Sequence, residues 1–196
     1  MNRFTSSPAY LNGLPPTGQT TVYVTGDDGT YQTGIPHRYE VLTTGQHSGT
    51  TAIILNGKTD THSNECVIDH QYRLMWSRVF SVGVGPTSNG LLPFTANAGG
   101  EGYFTYAAAA NTASLAGYTD WRVPNFFEVQ TQIILAAPAA DTDPTAFPAI
   151  SSTIATSTTV PNGTTTNITI ATTTSGLPSV ATKTTASARV WLVRSI

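Results

Sequence analysis

The sequence predicts a loop-rich α+β domain with two short helices and several short antiparallel strands. Three observations carry that prediction: a hydroxyl-rich composition almost without charge, short β-prone runs cut by turn residues, and helix signals confined to the middle of the chain. Charged residues make up 10% of the 196, far below the roughly 25% of an average soluble protein. About 35 threonines, with Ser, Asn, Gln and Gly, supply the polar surface instead, and these residues suit strands and turns. The 39% of apolar residues suffice for one buried core.

Along the chain, residues 1–13 read as an arm that could dock the domain to a larger assembly, and residues 14–196 as one domain. Thr20 to Thr25 forms a candidate strand, closed by a turn at Gly26-Asp27-Asp28-Gly29. Tyr39 to Thr43, Ala52 to Leu55 and Cys66 to Asp69 are further β-prone runs, while Thr59 to Asn64 looks turn-forming. Residues 82–102 are rich in glycine and read as a long loop. The first helix is predicted over Tyr103 to Leu115, alanine-rich and stopped before Gly117. Asn125 and Glu128 form a capping-box signature for the second. Phe126, Val129, Ile133 and Ile134 at helical spacing then predict about three turns before Pro138. The Thr-rich tract from Ser151 reads as strands and loops, because Thr alternates with Ile and Val and the tract ends in Val190-Trp191-Leu192-Val193. Its predicted turns are Pro161-Asn162-Gly163 and Ser175-Gly176.

Several functions are demoted at once. A net charge of -2 with nine scattered basic residues gives no footprint for nucleic acid or anionic lipid. No run approaches the roughly 18 apolar residues of a membrane span. The opening MNRFTSSPAYLNG lacks the apolar stretch of a signal peptide. Cys66 stands alone, so no disulfide framework forms within the chain. His62, Cys66 and His70 are spaced four apart, but their segment is not helical by its residues, so a metal or Cys-His site is not expected. Asp27 and Asp28 offer too few oxygens for calcium, and a capped turn is the better reading. No catalytic, metal or cofactor site is predicted.

Four blocks then stand in order: LPPTGQTTVYVTGDDGTYQTG (14–34), VIDHQYRLMWSR (67–78), GYTDWRVPNFFEVQ (117–130) and ARVWLVRS (188–195). In this succession the chain resembles the family typified by the C-terminal domain of the Legionella collagen-like adhesin. The resemblance implies a C-type-lectin-like fold, shared at a distance with phage tropism determinants and formylglycine-generating enzymes. The latter depend on a cysteine pair that one cysteine cannot supply. The chain also departs from the family pattern: Tyr72-Arg73 replaces Thr-Gly at a hairpin turn, and Ala149-Ile150-Ser151-Ser152 replaces Tyr-Trp-Ser-Ser.

Within these blocks Trp121 and Trp191 read as core, whereas for Trp76 both core packing and stacking on a sugar stay open. Asp120 and Arg122 are expected to fix the corner beside Trp121 through charge-assisted hydrogen bonds. The hydroxyl-rich tract supplies candidate receptor-binding residues in Thr158, Asn162, Thr165, Asn167 and Thr173. The expected role is a structural and binding subunit on a bacteriophage virion, as fibre, tail tip or capsid decoration, a placement favoured by the missing export signal. Its partners would be other virion proteins and a host surface glycan or protein, with a homotrimer expected. The alternative is a bacterial extracellular adhesin or filament subunit.

Overall fold

The computed structural model describes residues 21–27, 30, 38–43, 52–61, 65–133, 142–147, 153–160, 166–171, 178–185 and 188–196. The expected arm over 1–13, Asp28, His62, Asn162, Thr165, Thr173, the Ala149 to Ser152 block and both predicted turns of the Thr-rich tract lie outside them.

Among the described residues, three sheets and two longer helical segments make up an α+β, loop-rich fold. A four-stranded antiparallel sheet runs in the order β1 (Tyr39–Leu42), β4 (Cys66–Asp69), β5 (Leu74–Ser77) and β11 (Val193–Ser195). A five-stranded sheet runs β6 (Leu91–Leu92), β10 (Ala188–Arg189), β7 (Thr153–Ala155), β8 (Thr166–Ala171) and β9 (Pro178–Thr182). All its pairs are antiparallel except β10 with β7. The hairpin β2 (Ala52–Leu55) and β3 (Lys58–Thr61) stands apart as a two-stranded sheet.

The central strands β4 and β5 of the four-stranded sheet are covered on both faces, and their sequence shows why. Successive side chains on a strand point to opposite faces, so Cys66 and Met75 enter one apolar cluster while Val67, Leu74 and Trp76 enter a second. The C-terminal segment follows the same rule: Val190 and Leu192 join the first cluster, Trp191 and Val193 the second. Unbroken apolar runs are therefore required there, as in any strand covered on two sides. The second cluster centres on Trp191, with the rings of Trp76, Phe147 and Phe80 at 4.6, 4.7 and 5.0 Å. Trp76 is thus core, which closes the alternative left open by the sequence.

Helix α1 (Tyr103–Thr112) covers the first cluster with Tyr103, Tyr106, Ala107 and Ala110. These recur at i, i+3, i+4 and i+7, one face of the helix. The α-helix ends at Thr112, earlier than predicted, and a 3-10 turn over Leu115–Gly117 completes the stop.

Other expectations need correction. Residues 21–27 form bends and a turn and pair with no strand. Thr59 to Thr61 belongs to β3, because Asn56 and Gly57, at φ 51 and 70, make a two-residue turn that sends the chain straight back. Asn-Gly is a strong two-residue hairpin signal, and here it follows the apolar run Ala52 to Leu55. Helix α2 (Phe126–Gln130) has just over one turn rather than three. Beyond it the Gln132 amide donates to the buried Asp69 carboxylate at 2.9 Å, a tertiary bond that outweighs the local helical pattern.

Candidate binding surface

Trp121 fixes the corner from which the surface is built. Its backbone is clamped on both sides by Asn111, which accepts from the Trp121 amide at 2.7 Å and donates to its carbonyl at 2.9 Å. The buried indole donates to the Leu115 carbonyl at 2.9 Å. The flanking charges form charge-assisted hydrogen bonds as expected, though not with each other. Trp121 turns inward and leaves both partly exposed, where each meets a closer partner from elsewhere in the fold. Asp120 accepts from Arg194 at 2.7 and 3.2 Å, and Arg122 makes a two-pronged contact with Glu128 at 2.8 and 2.6 Å. Arg194 also lies 4.1 Å over the Tyr118 ring. Asp120 and Arg122 are therefore surface braces rather than core.

The capping box at α2 is present as predicted: Asn125 accepts from the Glu128 amide, and Glu128 from the Asn125 amide, at 2.9 and 2.8 Å. Glu128 thus holds both the helix start and Arg122. Burial alone would raise its pKa, but the Arg122 and Asn125 hydrogen bonds outweigh it and hold the carboxyl below its ordinary value.

The hydroxyl-rich tract is tied to this helix. Ser157 donates through its amide to the Pro124 carbonyl at 2.8 Å. The Phe126 amide donates to the Thr158 hydroxyl at 2.9 Å, so Thr158 serves as a half-buried bracket at the α2 start. Asn167 is placed in β8, directly opposite Ala181 of β9. On the same pair Thr169 and Ser179 bring their hydroxyls within 3.0 Å. No charged residue stands between Asp143 and Lys183. Strands β7, β8 and β9 therefore carry only hydroxyl, amide and apolar side chains, while the neighbouring β10 carries Arg189.

The remaining candidates take structural positions. Cys66 is buried, and that burial pushes its thiol up to about 12. His70 is exposed and contacts Glu40 at 2.9 Å. Asp27 accepts from the amides of Tyr23, Val24 and Thr30, a capped turn whose hydrogen bonds, that of Tyr23 foremost, hold its pKa near 2. Among the described residues no three of His, Cys, Asp and Glu gather as a metal site. Clefts among the described residues include one of about 460 Å³ at His70, Gln71, Arg73 and Ile196, and one of about 500 Å³ at Ala52, Ile54, Ala109, Thr112 and Ala113. Neither assembles a nucleophile with a base.

Sequence reasoning missed the buried polar network beneath the first strand. Arg38 donates to both Asp69 oxygens at 3.0 and 2.5 Å, with Tyr39 and Tyr72 rings 4.6 and 5.0 Å from its guanidinium. Its parts lie far apart in the chain, so no local signal could announce it.

Residues 65–194 match the model of the Lcl C-terminal domain. The chain belongs to the Lcl C-terminal domain family. This is a family of non-catalytic adhesin domains, so the chain is not read as an enzyme. The match overturns the expectation of a bacteriophage virion subunit, and the fibre, tail-tip and decoration readings fall with it. A family match over residues 65–194 outweighs a reading taken from the first thirteen residues. Lcl C-terminal domains occur in extracellular bacterial adhesins, which replaces the virion surface as the setting. No curated protein and no solved structure matches the chain.

Proposed function

We propose that the chain is the binding domain of a bacterial extracellular adhesin or filament subunit, on a C-type-lectin-like scaffold, attaching through the surface of residues 153–187. The observation that carries this reading is that residues 153–187 carry a single charged side chain, Lys183, in a domain of an adhesin family. Binding by such a face runs through hydroxyl and amide hydrogen bonds, directly or across water, to neutral glycans or polar protein surfaces. Within it Thr158, Asn162, Thr165, Asn167 and Thr173 are the proposed contacts, with Thr158 acting through the helix start it brackets. A homotrimer, repeating the face around one axis, belongs to the same proposal.

Attachment of the purified domain to cells or immobilised surface material, measured from low to molar salt, tests it. Polar recognition changes little across that series, whereas charge-driven binding collapses as screening shortens its reach to about 3 Å at 1 M. A companion variant shortens residues 161–165, which precede β8 and leave that strand whole. Strong salt dependence, or full attachment by a variant that also replaces Asn167 and Thr173 with Ala, would sink the proposed face.

A further inference from the structure

Val22, Tyr23 and Val24 are 54, 78 and 66% exposed. Three consecutive large apolar side chains in solvent are uncommon on a folded chain and mark a surface that something else covers. They belong to residues 21–25, an uncharged run of β-branched and aromatic residues suited to a strand. Within the chain that run pairs with no strand.

A sheet edge able to accept it stands elsewhere. Among the described residues most edges are blunted by charge or by shortness, as edges usually are. β1 carries Glu40, β11 carries Arg194, β3 carries Lys58 and Asp60, and β6 has two residues. β2 is free of charge but packs along helix α1. β9 keeps an open edge of five uncharged residues, with Pro178 blunting only its first position and Val180 62% exposed. Lys183, next in the chain, places its ammonium 5.3 Å from the Phe94 ring and is engaged within its own domain.

We propose that residues 21–25 of one copy add as a further strand to the β9 edge of a second copy, so that the chain assembles head to tail by strand donation. Donor and edge are each five residues long, and neither carries a charge. Side chains alternate between faces on both strands. With Tyr23 beside Val180, an aromatic meets a β-branched residue on the exposed face, while Val22 and Val24 fall on the other face with the half-buried Ser179 and Ala181. Before assembly the Asp27 carboxylate accepts from the exposed Tyr23 and Val24 amides. Pairing exchanges those bonds for ladder bonds and covers the apolar run. Because donor and acceptor are different surfaces, the contact repeats, closing into a ring such as the homotrimer or continuing as a filament. Strand donation stands apart from whatever ligand the binding face takes.

The test follows the mass of the full chain by sedimentation across a concentration series. The parent is expected to associate. Tyr23→Lys and Val180→Lys, both at exposed positions, are expected to melt like the parent and to stay monomeric at concentrations at least tenfold higher. Each variant loses one half of the contact and keeps the other, so an equimolar mixture is expected to form one-to-one pairs and nothing larger. Asp27→Ala releases both amides and is expected to associate at lower concentration than the parent. A parent that is monomeric throughout overturns strand donation. Association of Tyr23→Lys with itself would mean β9 edges pairing with each other, and association of Val180→Lys with itself would mean the apolar runs clustering. Either overturns the proposal, as does a mixture of the two folded variants that forms no pairs.

Discussion

The buried Ser81 hydroxyl accepts a hydrogen bond from the Val190 amide at 2.9 Å and donates one to the Gly90 carbonyl at 2.7 Å. One hydroxyl thereby joins the segment after β5, the loop before β6 and the C-terminal segment. Ser77 repeats the device by accepting from the Leu192 amide at 3.2 Å. Ser81→Ala should therefore leave buried polar groups unmatched and cost about 1–3 kcal/mol. Urea denaturation should show a lower midpoint with an unchanged slope. A midpoint equal to the parent's would mean that water replaces the hydroxyl.

Positive φ gives opposite outcomes at two turns. Gly90 has φ 81, and a Cβ there would lie 2.0 Å from the Ser81 carbonyl oxygen, so Gly90→Ala should cost at least about 2 kcal/mol. Arg73 holds φ 55 on an exposed turn where the resembled family carries glycine. Arg73→Gly relieves that strain, less the added freedom of the unfolded chain, and should stabilise by about 0.5–1 kcal/mol. Paired melting curves check both signs.

The tryptophans set the largest packing effects. Trp191→Ala removes the centre of the second cluster, and Trp121→Ala the anchor of the corner above α2. Each should cost about 3–5 kcal/mol, enough to threaten folding of a marginally stable domain. Soluble expression and thermal melting would reveal it, and an unchanged melting temperature would contradict the burial seen here.

Acid should weaken the fold through identified carboxylates. At Glu101, burial raises the pKa, but the hydrogen bonds from Lys58 and Asn97 and the Lys58 charge bring it below its ordinary value. Glu128 is lowered by Arg122 in the same way. Folded values below unfolded ones mean stability that is complete above the unfolded carboxylate pKa of about 4.3 and is lost as pH falls through the folded values. The melting temperature should hold from neutral pH to about 5 and then decline. Glu128→Gln should lower it at neutral pH and lessen the acid decline.

Burial that pushes the Cys66 thiol up to about 12 keeps it protonated and shielded at neutral pH. Aromatic disulfide reagents should label it only after denaturation, and reductant should leave the melting temperature unchanged. Rapid labelling of the folded domain, or a dimer on a non-reducing gel, would contradict this.

The local signals that proved readable share one property: their partners lie within a few residues. Asn125 and Glu128 are three apart, and their capping box is present as predicted. The run Val190 to Val193 announced burial, and all four residues are buried. Asn56-Gly57 carries an equally local hairpin signal. Helix α2 was overestimated because Ile133 continues the helical spacing while Gln132 is drawn off to Asp69, 63 positions earlier.

By itself the sequence determined the α+β class, the charge-free tract, the burial of Trp121 and Trp191 and the family membership carried by the blocks from residue 67 onward, since each is a matter of composition or of short-range pattern. The block at 14–34 lies outside the family match. The tertiary structure alone decided which charges meet. Asp120 and Arg122 are close in the chain, yet they pair with Arg194 and Glu128, and Arg38 finds Asp69 beneath the sheet. Ion pairing depends on distance in space and on the solvent each side chain retains, and chain folding sets both.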